Sequence, residues 1–158
     1  MNRSACLAAS GLVIVALVWV GLLLGVSFLA TPAKFLAPSL ALTVALDVGR
    51  HTFAIFSIVE VVALTALLVC VVASKAERYA VLAAALVSGL VATQLVWLLP
   101  VLDARVEAML QGEVLNNTVL HELYIAVDVA KVILLGFLAR CGLRTSHGYR
   151  AGAGADAK

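Results

Sequence analysis

Residues 119–139 read VLHELYIAVDVAKVILLGFLA, with Asp128 and Lys131 in the middle of an otherwise apolar run. About 20 mostly apolar residues, at roughly 1.5 Å rise each, are enough to carry a helix across a bilayer core. A charge at mid-bilayer costs roughly 2.5–3.5 kcal/mol on insertion scales, and such groups usually face a protein interior or a water-filled cavity. His121, Tyr124, Asp128 and Lys131 follow one another at steps of three, four and three, so they share one helical face. That face is predicted to point into a bundle, with Leu, Val, Ile and Ala turned to lipid.

Three more stretches have the same length and character: residues 6–30, 51–73 and 79–99. Of the 158 residues, 64% are hydrophobic and 13% charged. A soluble domain is usually about half apolar and about a quarter charged. The composition therefore predicts an all-α, polytopic membrane protein, a four-transmembrane-helix bundle occupying residues 1–140. Residues 141–158, rich in Gly, Ala and Arg, are predicted to form a disordered cytoplasmic tail. The first stretch has some features of a secretory signal, but it exceeds the usual apolar core of roughly 7–15 residues. It is read as a retained helix, with Trp19 and a Gly21-x-x-x-Gly25 pair suited to close packing on a neighbour.

Loop charges set the predicted orientation. Arg3, Lys75, Arg78, Arg140, Arg144, Arg150 and Lys158 fall on the side of the termini; Lys34, Arg50 and Arg105 fall on the other. Seven against three places both termini in the cytoplasm. The net charge of +2 is then mainly a topology signal, and no basic stripe suggests nucleic acid. Cys6, Cys70 and Cys141 fall near cytoplasmic helix ends, an odd number in a reducing compartment, and read as small apolar residues rather than a disulfide framework.

Two connections lie on the predicted outer side. The first, 31–50, holds Pro32 and Pro38; 39–47 reads as helix after a proline break, and Gly49 marks a bend. In the second, 100–118, residues 101–111 form an amphipathic helix, Gly112 stops it, and Asn116-Asn117-Thr118 supplies a turn and N-cap. The inner connection, 74–78, is short enough to force an antiparallel hairpin.

Glu60 lies nine residues into the second stretch and Asp128 nine into the fourth, both about 13 Å from the same side. Glu60, Asp128 and Lys131 are therefore predicted to form one intramembrane charge layer. Two carboxylates and one ammonium leave a surplus negative charge, which a proton on one carboxylate or a bound cation would offset. Asp47, Arg50, His51, Gln94, Asp103, Arg105, His121 and Tyr124 are predicted to form an outer mouth above it. His51 and His121, at matching depth, are the one pair able to suggest haem. No H-x-x-x-H or Cys-His set suggests zinc, and no Walker loop, GxGxxG or G-x-S-x-G suggests a known catalytic site.

Four strings carry a resemblance: GVSFLATPAKF (25–35), ALDVGRHTF (45–53), LPVLDAR (99–105), and His121-x-x-Tyr124-x-x-x-Asp128-x-x-Lys131. They resemble small four-span bacterial inner-membrane proteins of unknown function. They are also distantly similar to a eukaryotic four-span protein associated with platinum-drug resistance. The resemblance covers most of residues 20–135. Glu is common in that pattern where this chain has Asp128, which keeps the carboxylate. It implies a four-span fold and a bacterial cell inner membrane location, without a settled reaction.

The leading expectation is a membrane protein that moves or senses a proton, cation or small solute through a polar interior. The lipid bilayer is its surrounding, and a homo-oligomer or larger membrane complex is plausible for so thin a bundle. The first alternative is a structural or accessory subunit whose charges lock helix packing. The second is a haem-binding electron-transfer module.

Overall fold

The computed structural model describes residues 3–113 and 119–155, with side chains described for 4–113 and 119–148. The turn read at Asn116-Asn117-Thr118 lies outside the described residues. Among the described residues the fold is all-helical, with no strand. Helix α1 spans Arg3–Leu23 and passes through a π-helical segment, Leu24–Ala30, into the short α2, Thr31–Phe35. Helix α3 spans Leu42–Ala73. Helix α4, Arg78–Thr93, passes through a second π segment, Gln94–Leu98, into α5, Leu99–Leu110. Helix α6 spans Leu120–Ala155. Three helical runs are long and apolar enough to cross a membrane: Ser4–Phe35, Leu42–Ala73 and Arg78–Leu110.

The proline break expected before 39–47 is present at Pro38, between α2 and α3, whereas Pro32 and Pro100 lie inside continuous helical runs. Proline has no N–H to donate and its ring clashes with the carbonyl four residues back. Here each of the latter two follows two residues after a π segment ends, Pro32 after Ala30 and Pro100 after Leu98. The π register widens the turn, and its hydrogen bonds reach back five residues. Thr31 N–H bonds the Val26 carbonyl, and Leu99 N–H bonds the Gln94 carbonyl. The Thr31 hydroxyl adds a 2.8 Å bond to the same Val26 oxygen. The amphipathic helix read at 101–111 is present as α5, but it continues α4 instead of starting afresh.

Other boundaries follow local chemistry. Gly112, at φ 91°, ends α5 as expected. The α3–α4 connection is the expected tight hairpin, closed by Ser74 N–H to Cys70 O at 2.9 Å and with Lys75 in the left-handed region at φ 51°. Gly49 does not interrupt the helix, since α3 continues through it. Residues 141–155 continue α6 where the sequence predicts a disordered tail.

The four long helices close a ring: α1 packs on α6 and α3, and α4 packs on the same two. Thus α3 faces α6 across one diagonal, and α1 faces α4 across the other. The inner stripe of α1 is Ala5, Ala9, Leu12, Ala16, Trp19 and Leu23, all essentially buried. These residues alternate steps of four and three, the spacing of a coiled-coil seam. Leu67, Val71, Ala80, Ala84, Val87, Leu135 and Leu138 fill the terminal half of the bundle against it. The closest helix approach is between α1 and α6. A Cβ on Gly142 would lie 3.0 Å from the Ala9 carbonyl oxygen and 2.8 Å from Val13 Cγ2. Gly21 and Gly25, read as a packing pair, have nothing within 4 Å of such a Cβ. The seam uses alanines and Gly142 instead.

Gly142→Ala is expected to lower the thermal midpoint of the purified protein in mild detergent, by overpacking worth about 1–3 kcal/mol. Gly21→Ala is expected to leave it level or raise it, by up to about 0.5–1 kcal/mol, since Gly disfavours helix interiors. Circular dichroism melts of the two variants check the pair.

Candidate functional site

Each of the four long helical runs brings polar atoms to one buried layer. Trp19 comes from α1, Glu60 from α3, Gln94 from the π segment after α4, and Asp128 with Lys131 from α6. All five residues are at most 3% exposed. Lys131 lies at the centre. Its ammonium meets Glu60 Oε1 at 2.5 Å, Gln94 Oε1 at 2.6 Å and Asp128 Oδ1 at 2.9 Å. Two of its donors form hydrogen bonds, to Glu60 Oε1 and Gln94 Oε1, and Asp128 Oδ1 beside it forms an ion pair. Gln94 is oriented by the same pattern, since its Nε2 donates to Asp128 Oδ1 at 2.9 Å while its Oε1 accepts from Lys131. Trp19 Nε1 donates to Glu60 Oε1 at 3.2 Å. Asp128 Oδ2 is buried and has no hydrogen-bond partner.

The predicted charge layer is therefore assembled, with Lys131 reaching Glu60 across the α3–α6 diagonal. Gln94, grouped with the mouth from the sequence, lies in the layer and hydrogen-bonds across the bundle to α6. Trp19 was read only as a packing residue. Its role had a weak signal, an indole in register with the seam of α1, but nothing in the sequence paired it with Glu60.

A cavity of about 690 Å³ lies at the end of the bundle formed by α2, α5 and the first turns of α3 and α6. Of the predicted mouth, Arg50, Asp103, Arg105, His121 and Tyr124 line it; Asp47 and His51 do not. Asp47 instead accepts a 2.8 Å bond from Arg50 Nε. Arg50 Nη1 bonds Glu107 Oε2 at 2.6 Å and lies 3.9 Å from Asp103 Oδ1. Arg50 thus ties α3 to α5 and gathers three carboxylates around one guanidinium. Glu107 was not singled out in the sequence, although it shares the polar face of the amphipathic helix. Asp103 and Arg105 do not face each other along α5, as their spacing requires. Lys34, Thr31 and Phe53 also line the cavity.

The cavity floor sits directly over the layer. Ser57 on α3 and Tyr124 on α6 line it, and Glu60 and Asp128 follow three and four residues later, about one turn or 5.4 Å deeper. Leu95 lines it beside Gln94. The Tyr124 ring packs edge-on against Phe53, with centroids 5.0 Å apart. On the far side of the layer, Leu12, Ala16, Leu67 and Leu135 are fully packed.

The two histidines do not converge. His121 lines the cavity, whereas His51 is exposed and its Nδ1 lies 3.0 Å from the Asp47 carbonyl oxygen of its own helix. Haem ligation needs both imidazoles on one space, and this arrangement does not supply it. Among the described residues, no group of three or more His, Cys, Asp and Glu side chains is placed to hold a metal ion.

Lys131→Met should be the most damaging single change in the layer. It leaves buried carboxylates without their cation, a loss of about 3–5 kcal/mol. Adding Glu60→Gln and Asp128→Asn to Lys131→Met should recover much of that loss, read as the return of a monodisperse peak and a cooperative melt in detergent. No family model, no curated protein and no solved structure matches the chain.

Proposed function

We propose that this chain is a four-span membrane protein of a bacterial inner membrane, in which a proton enters a one-sided cavity and binds the buried carboxylate layer. The protein would thereby sense protons or couple them to a small solute held in the cavity. The observation that carries this reading is Asp128 Oδ2, buried without a partner one turn below the cavity floor. With both carboxylates ionised, Glu60, Asp128 and Lys131 sum to one negative charge. A proton on Asp128 brings the sum to zero, in surroundings where an unbalanced charge is costly.

One feature narrows the reading. The packed core beyond the layer gives no continuous path to the terminal end, so uptake is from one side. The fourth span is supported by the outer face of α6. Ile125, Val129, Ile133 and Phe137 are exposed at steps of four, while Asp128 and Lys131 on the opposite face are fully buried and paired. The seven-to-three loop charge count supports termini on the cytoplasmic side.

The competing reading is a structural clasp, favoured by the hydrogen bonds of Lys131 to Glu60 and Gln94 and its ion pair with Asp128. Infrared difference spectra of the protein between acidic and neutral pH separate the two. A protonated-carboxyl band that Asp128→Asn removes, with helix content unchanged, is the expected result. Absence of any such band would leave the clasp. For topology, a carboxy-terminal green fluorescent protein fusion should glow, and alkaline phosphatase fused after Gly112 should be active.

A further inference from the structure

Lys34 is the cavity cation that the ion-pair network leaves out. Arg50 takes Asp47 and Glu107, and lies near Asp103. Among the described residues Lys34 has no carboxylate partner. Its ammonium sits over the Phe35 ring at 5.1 Å and the Phe53 ring at 5.9 Å, held by cation–π attraction. It also lies where a side chain on Gly49 would begin; a Cβ there would collide with Lys34 Nζ. Gly49 is buried at the eighth position of α3, inside a continuous helix, where glycine is otherwise unfavourable. The missing side chain leaves a seat for the ammonium against α3.

An unpaired ammonium fixed in a cavity calls for an anion, which can form a charge-assisted hydrogen bond with it. The remaining wall is largely apolar, with Leu46, Leu95, Leu99, Leu102 and Met109. At about 690 Å³ the volume falls within the range of small-molecule sites, about 300–1,000 Å³. A small inorganic anion would leave most of that wall uncovered. We propose that the cavity binds a single-chain amphiphile with an anionic head, the head on Lys34 and the chain along Leu95, Leu102 and Met109. This goes beyond the reading of the charge layer and needs only the cavity.

Native mass spectrometry of the full chain in neutral detergent, titrated with dodecyl phosphate, dodecanol or inorganic phosphate, tests it. Dodecyl phosphate is expected to bind one molecule per chain, well ahead of the other two. Lys34→Gln should weaken it about tenfold or more, the loss of a charge-assisted hydrogen bond, and Lys34→Arg should largely restore it. Gly49→Ala keeps the charge but fills its seat, and should also weaken binding; it serves as the second test if Lys34→Gln does not fold. Equal binding of dodecanol would reduce the site to an apolar hole and overturn the proposal. Inorganic phosphate binding as tightly as the amphiphile would overturn it in favour of a soluble anion. Unchanged binding in both Lys34→Gln and Gly49→Ala would overturn the role of Lys34. The readout does not depend on protonation of Asp128, so either proposal can fail while the other stands.

Discussion

The Lys131 ammonium donates hydrogen bonds to Glu60 and Gln94 and forms an ion pair with Asp128 beside it. Much of the architecture answers to that arrangement. An unpaired ammonium in an apolar bundle is strongly unfavourable, so α3, α6 and the run after α4 must stand at one depth. Trp19 brings α1 into the same plane through Glu60. A slip of one helix turn in any element would leave a buried polar atom without its partner. Apolar surfaces alone tolerate such slips; in lipid they have little to gain from one register over another. Polar contacts therefore fix the register that the alanine seam of α1 then packs closely.

The sequence was most legible where period and charge agreed. The stripe His121, Tyr124, Asp128, Lys131 indicated an inward face, and the equal depths of Glu60 and Asp128 indicated one layer. Hairpin length, the stop at Gly112 and the amphipathic character of α5 were equally readable, because each depends on neighbours a few residues apart. What failed was backbone register. The stretches 6–30 and 79–99 end just before Pro32 and Pro100, whereas both helical runs continue past them through π segments, which no local residue pattern announces. Gly21 and Gly25 misled for a different reason: spacing shows that two small residues share a face, not which face meets a neighbour.

The cavity end and the terminal end of the bundle use different physics. At the cavity end, exposed and half-buried ions on α3 and α5 hold the helices together around Arg50. Pairs of that kind are individually weak, about 0.2–1 kcal/mol, and screened by salt. At the terminal end, small residues bring the α1 and α6 backbones close together at Ala9 and Gly142. Local opening belongs at the end whose contacts are weaker and more solvated. The layer marks the boundary between the two regimes, and both π segments lie on its cavity side or at its edge.

The span of the Lys131–Glu60 contact also bears on how the chain is made. The two residues are separated by 71 positions. At roughly 5–20 residues per second, a ribosome delivers Lys131 about 4–14 s after Glu60. Throughout that interval α3 carries an acidic side chain into apolar surroundings with its cation still unsynthesised. Gln94 arrives in between, and its carboxylate partner Asp128 later still. The last helix therefore completes the bundle by neutralising what the earlier ones brought in, and a chain cut short before Lys131 presents quality-control proteases with an unpaired intramembrane acid.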